Sequence, residues 1–213
     1  MSRLSNEERV NSATHAIGGA LGVVALILMW WQSQGLTKID RGGLMLYGAS
    51  LITLYLCSTL YHLMVSPRWK WRFQLLDHCA IYLLIAGSYT PFLLIALATT
   101  QAFILMGVVW SLALIGIIFK CFGHDKWPKL SLITYLGMGW LAVFIVKPLM
   151  ISLPTPALVL LILGGALYSL GAWVFTLERM PHHHGIWHLF VLAGSACHFF
   201  AIYSFVIPMA KLG

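Results

Sequence analysis

The sequence predicts an all-α fold: a polytopic membrane protein with seven transmembrane helices, its N-terminus cytoplasmic and its C-terminus outside. Three observations lead there. Apolar residues make up 60% of the 213-residue chain and charged residues only 9%, against roughly 45–50% and 25% in soluble domains. The mean hydropathy is +0.87. The apolar residues gather into continuous stretches of about 20, the length that crosses a bilayer as a helix. This composition excludes a disordered chain, a nucleic-acid module, a coiled coil and a disulfide scaffold.

The elements follow in order. Twelve polar residues, MSRLSNEERVNS, come first, with Asn11 and Ser12 standing as caps for the first helix. The first span covers about 13–31 and is too long for a signal-peptide core. A break carrying Lys38, Asp40 and Arg41 leads to the second, about 44–65. SPRWKWRFQ reads as a short basic turn, and the third span covers about 75–97, with Pro91 removing one backbone donor and kinking it. The fourth covers about 102–119 and the fifth about 130–151. Pro154 and Pro156 stop one helix and start the next, and the sixth covers about 157–177. After ERMPHH the seventh covers about 184–208. The runs are too long for barrel strands, so residues 1–213 form a single seven-helix domain. Trp30, Trp31, Trp69, Trp71, Trp127 and Trp187 fall near span ends, as in an aromatic belt. Cys57, Cys79, Cys121 and Cys197 lie in or beside apolar stretches without a CxxC, which suits buried small side chains.

The net charge of +7 is scattered over short loops and controls topology rather than binding nucleic acid. With the N-terminus inside, the inner segments hold Arg3, Arg9, Arg68, Lys70, Arg72, Lys120, Lys126, Lys129 and Arg179. The outer segments and span ends hold Lys38, Arg41, Lys147 and Lys211. That bias sets the orientation, and it brings polar residues of four helices to one depth. Ser58 and His62 lie near the inner end of the second span, Asp77 and His78 in the first turn of the third, and His184 and His188 at the start of the seventh. Asn11, Ser12 and His15 open the first.

Ionisable residues inside a span mark functional sites. His184 and His188, spaced i, i+4, share a helix face and can bind one metal ion. His62 is the best third ligand, and three ligands with an open position form the pattern of a catalytic zinc site. Imidazole favours zinc without excluding copper, iron or nickel. Asp77 then suits holding or deprotonating a water, and Ser58 suits a hydrogen bond to that water or to a substrate carbonyl. Plainer readings stand beside these. Asp77 fits a helix N-terminal acid favoured by the dipole, and Ser58 a hydroxyl bonded back within its helix. His15 fits either a group supporting the ligands or a headgroup contact. His182 and His183 fit solvated loop residues, His78 points away from Asp77, and His198 fits an interhelical hydrogen bond.

At these residues the sequence resembles the hemolysin III family, within the progestin and adipoQ receptor superfamily. The segments STLYH, LDHCAIYLLIAGSYTPF, SLITYLGMGW and HGIWHLFVLAGSACHF carry the resemblance, which spans nearly the whole chain. It implies seven helices, a cytoplasmic N-terminus and a zinc site near the cytoplasmic face. The family pattern implies His62, His184 and His188 as metal ligands, with Asp77 and Ser58 as partners of a bound water. The short chain is similar to the bacterial members, which implies the bacterial plasma (inner) membrane. The superfamily is similar in turn to the alkaline ceramidases, which implies hydrolysis of a lipid amide or related bond. A zinc-dependent lipid hydrolase in contact with membrane lipids is therefore one expectation. A non-enzymatic sensor with a structural zinc is the second, and a channel or transporter the third.

The orientation has a direct check. A reporter fused to the C-terminus should be inactive if it requires the cytoplasm; cytoplasmic reporter activity there contradicts the predicted topology.

Overall fold

A computed structural model describes residues 4–123 and 127–212. Arg3 and Lys126, two of the basic residues assigned to the inner side, lie outside the described residues. Among those described there is no strand, and seven helices are long and apolar enough to cross a membrane. They are α1 (Asn6–Gln32), α2 (Lys38–Leu63), α3 (Pro67–Leu97), α4 (Thr100–Gly123), α5 (Pro128–Ser152), α6 (Thr155–Phe175) and α7 (His183–Ala210).

Short connections make sequence neighbours pack side by side. The closest pairs are α1 with α2, α2 with α3, and α6 with α7; α1 also packs on α7, which brings the two ends of the chain together. The apolar window of α3 is 67% buried, against 22% for α4 and 17% for α5. So α3 is the central helix, and α4 and α5 face mostly outward. Gly18 and Gly22, one turn apart on α1, let that helix approach α2: a methyl group at Gly18 would strike Tyr55 and Leu192, and one at Gly22 would touch Ile52. Close approach through small residues is how helices gain contact where the surrounding solvent is itself apolar.

The helices begin outside their apolar stretches. The Ser5 hydroxyl accepts a hydrogen bond from the Glu8 amide (3.2 Å), so α1 starts at Asn6 and runs through the polar NEER segment. Asn11 and Ser12 are therefore not caps; both are buried a turn or more inside the helix. The segment expected as a basic turn is also helical. Pro67 at the first helical position starts α3, its missing N–H being one that a helix start leaves unbonded anyway. Asp77 consequently sits ten residues into α3 rather than in its first turn, beyond the reach of the terminal dipole.

Three helices carry irregular turns. After Pro91, α3 widens into a π turn over Phe92–Leu97, closed by Ala98 in the left-handed region (φ 46°). The α7 helix has a similar turn at Ile202–Val206. In α5 a 3₁₀ stretch, Trp140–Ile145, interrupts the helix. Tyr89 repairs this last break from α3: its hydroxyl donates to the Gly139 carbonyl (2.7 Å) and accepts from the Ala142 amide (2.8 Å). Each break has a proline beside it in the sequence: Pro91 before the first, Pro148 after the α5 stretch and Pro208 after the α7 turn, each removing a backbone donor.

Removing the Tyr89 hydroxyl would leave those backbone groups without a partner, at a cost of about 1–3 kcal/mol. Tyr89→Phe should accordingly lower the thermal midpoint of the detergent-solubilised protein. An unchanged midpoint would mean that the α5 break is satisfied some other way.

Candidate metal centre

The i, i+4 spacing of His184 and His188 places both imidazoles on the face of α7 that meets α1 and α2. His62 arrives from the last turn of α2. The three rings surround one point. Their centroids are 4.9 Å apart for His62 and His184, 5.1 Å for His62 and His188, and 4.7 Å for His184 and His188, with planes 71–79° from one another. One nitrogen from each falls within 4.8 Å of the other two.

Hydrogen bonds decide which nitrogen faces inward. His62 donates from Nδ1 to a carboxylate oxygen of Glu8 (2.6 Å). His188 places Nδ1 against the Asn11 backbone carbonyl (3.2 Å) and the Thr14 hydroxyl (3.1 Å). With Nδ1 protonated in each, Nε2 carries the lone pair. The Nε2 atoms of His62, His184 and His188 are all buried without a hydrogen-bond partner. Three unpartnered ring nitrogens, acceptors in His62 and His188, are costly in an apolar interior. They suit a divalent cation of the borderline type that imidazole binds, zinc foremost.

Ser58 lies one turn before His62 on α2 and is fully buried. Its hydroxyl has no hydrogen-bond partner, so it is not bonded back to its own helix; the Asp77 carboxyl on neighbouring α3 is also buried. The α2–α3 pairing thus sets a buried acid on the helix next to the one that carries Ser58 and His62. His15 is an interior group and not a headgroup contact: it is 1% exposed, stacks on His188 (3.5 Å between centroids) and meets Tyr55 edge-on. Trp187 and Phe175 wall the outer side of His184 with apolar rings.

The remaining histidines among the described residues stay out of the centre. His182 is exposed in the left-handed region just before α7. His183 contacts the Phe175 carbonyl (3.2 Å), and His78 turns to Lys120 on α4 (3.3 Å). The His198 ring lies under Gly164, beside the Leu161 backbone of α6.

Sequence reasoning missed Glu8 and Thr14. A signal for Glu8 exists: Ser5-x-x-Glu8 is a capping-box pattern that starts a helix at Asn6. Once the helix begins there, Glu8, Asn11, Ser12 and His15 fall at i, i+3, i+4 and i+7 on one face. Asn11 offers only its backbone oxygen, which no residue pattern announces.

Comparison with known proteins gives a consistent picture. The family model described as "Haemolysin-III related" matches residues 4–199. The chain is 45% identical to Hemolysin-3 of Bacillus cereus, over 99% of this chain and 97% of that one. It is 44% identical to the Hemolysin-3 homolog of Bacillus subtilis, over 97% of each. The human monocyte to macrophage differentiation factor is 31% identical, over 76% of this chain and 69% of its own length. No solved structure gives a significant match.

Elemental analysis of the purified chain tests the centre. Close to one divalent metal ion per chain is expected, and His188→Ala, which removes a candidate ligand that is 0% exposed, should lose it. Equal metal content in both would remove the three histidines from consideration.

Proposed function

The chain belongs to the haemolysin-III-related family and is a multi-pass membrane protein; from that premise we propose that it is a zinc-dependent hydrolase acting on a lipid amide or a related bond. The observation that carries this reading is the set of three buried, unpartnered Nε2 atoms that converge from α2 and α7. His62, His184 and His188 would hold the metal, and a zinc ion there would supply Lewis acidity to a water and a carbonyl. The positive-inside bias supports a cytoplasmic position for this end of the bundle.

The chain's own residues have distinct tasks. Asp77 takes a proton from the attacking water as its oxygen bonds to the carbonyl carbon. Ser58 donates its hydroxyl hydrogen to the carbonyl oxygen, where negative charge develops. The carbon–nitrogen bond then breaks, and Asp77 passes the proton to the departing amine. Burial of both residues keeps bulk water from competing for these hydrogen bonds. The apolar walls at Trp187 and Phe175 suit an acyl chain arriving from the bilayer.

Hydrolysis of an N-acyl lipid by the purified protein in mixed micelles tests the reading. Asp77→Ala should lower the rate about 10²–10⁴-fold, the usual share of a general base, while zinc remains bound. Retained hydrolysis in the His184→Ala/His188→Ala double variant would overturn it.

A further inference from the structure

Glu8 belongs to the first turns of α1, in the polar segment that precedes the apolar span. Its carboxylate bridges two other helices. One oxygen accepts from His62 Nδ1 at the end of α2 (2.6 Å), and the other from Lys70 Nζ near the start of α3 (2.5 Å). The Glu8 side chain is 26% exposed and that of His62 only 3%, so the hydrogen bond reaches from the mouth of the site to a buried ring. Lys70 also lies over the Tyr61 ring (4.9 Å), which gives it a second anchor.

Resting on the metal-centre reading above, we propose that Glu8 is a positioning residue for the metal. It holds His62 in the tautomer and rotation that turn Nε2 toward His184 and His188, and it raises the basicity of that nitrogen. A carboxylate on the far nitrogen of a ligating imidazole has this effect generally, and its loss costs 10–100-fold in metal affinity. The other ligands have different supports. His188 leans on the neutral Asn11 carbonyl and Thr14 hydroxyl, so His62 is the ligand given a charged partner. Lys70 is subordinate. It occupies the second oxygen and steers the carboxylate, but it does not touch an imidazole.

Zinc affinity, measured by chelator competition on the full chain in detergent, tests the assignment. Glu8→Ala should weaken zinc 10–100-fold. Glu8→Gln should fall between it and the unaltered chain, because the amide oxygen still accepts from Nδ1 but carries no charge. Lys70→Ala should change affinity less than threefold. The visible absorption of the cobalt(II)-loaded protein should shift in Glu8→Ala and not in Lys70→Ala. A clamp that only staples α1 to the other helices predicts equal losses for Glu8→Ala and Lys70→Ala, and that result overturns the proposal. So does unchanged zinc affinity in Glu8→Ala. Thermal unfolding of the metal-free variants separates loss of fold from loss of ligand orientation. If the unaltered chain binds no zinc at all, the metal-centre reading fails first and this assignment falls with it. If the unaltered chain binds zinc and Glu8→Ala binds it equally well, only the role of Glu8 falls.

Discussion

A hydrocarbon interior offers no hydrogen-bond partner, so every polar group carried into it must find one inside the protein. Much of this structure follows from that constraint. Tyr89 satisfies the interrupted backbone of α5. The hydroxyls of Tyr55 and Tyr168 both meet Ser195, each at 2.8 Å. The Trp110 indole donates to Thr90 (3.1 Å). Other buried polar atoms lack a partner too, both ring nitrogens of His15 and of His198 among them, but the imidazole nitrogens of His62, His184 and His188 stand apart because they converge. Their neighbours are also arranged around them: on two of the three rings the opposite nitrogen is engaged, which turns the free one inward.

The placement of the centre follows from the helix order. The central helix, α3, pairs with α2, which supplies His62 from its last turn. Contact of α1 with α7 closes the ring and brings in the last two ligands and their supports. The outward-facing helices α4 and α5 contribute no imidazole to the trio. The candidate trio is therefore confined to helices α2 and α7, while α4 and α5 expose mainly apolar side chains.

Much of this was legible in the sequence because hydropathy is a strong signal. Seven long apolar runs specify seven helices with little help from context. The candidate trio was legible too, since His184 and His188 have a diagnostic spacing and His62 lies at the depth that the basic residues dictate. What hydropathy obscured was the helix ends. A window that responds to apolar side chains cannot see NEER or PRWKWRFQ as helix, although a capping serine and a first-position proline announce both. That displacement of boundaries hid Glu8 and put Asp77 a few turns out of place. The Tyr89 hydroxyl that repairs the α5 break and backbone acceptors such as Asn11 depend on contacts between helices and leave no local trace.

The contact between α1 and α7 also has a consequence in time. The Asn11 carbonyl and the His188 ring it orients are 177 residues apart in the chain, at opposite ends of synthesis. During insertion, His62 enters the membrane with the second helix and waits beside Glu8 while five more helices are made. Until the last one docks, the nascent protein has one imidazole of the three and nothing to hold an ion with. The centre is thus a record of completed assembly: a chain that lacks its final helix can be long, apolar and fully inserted, yet it has no site.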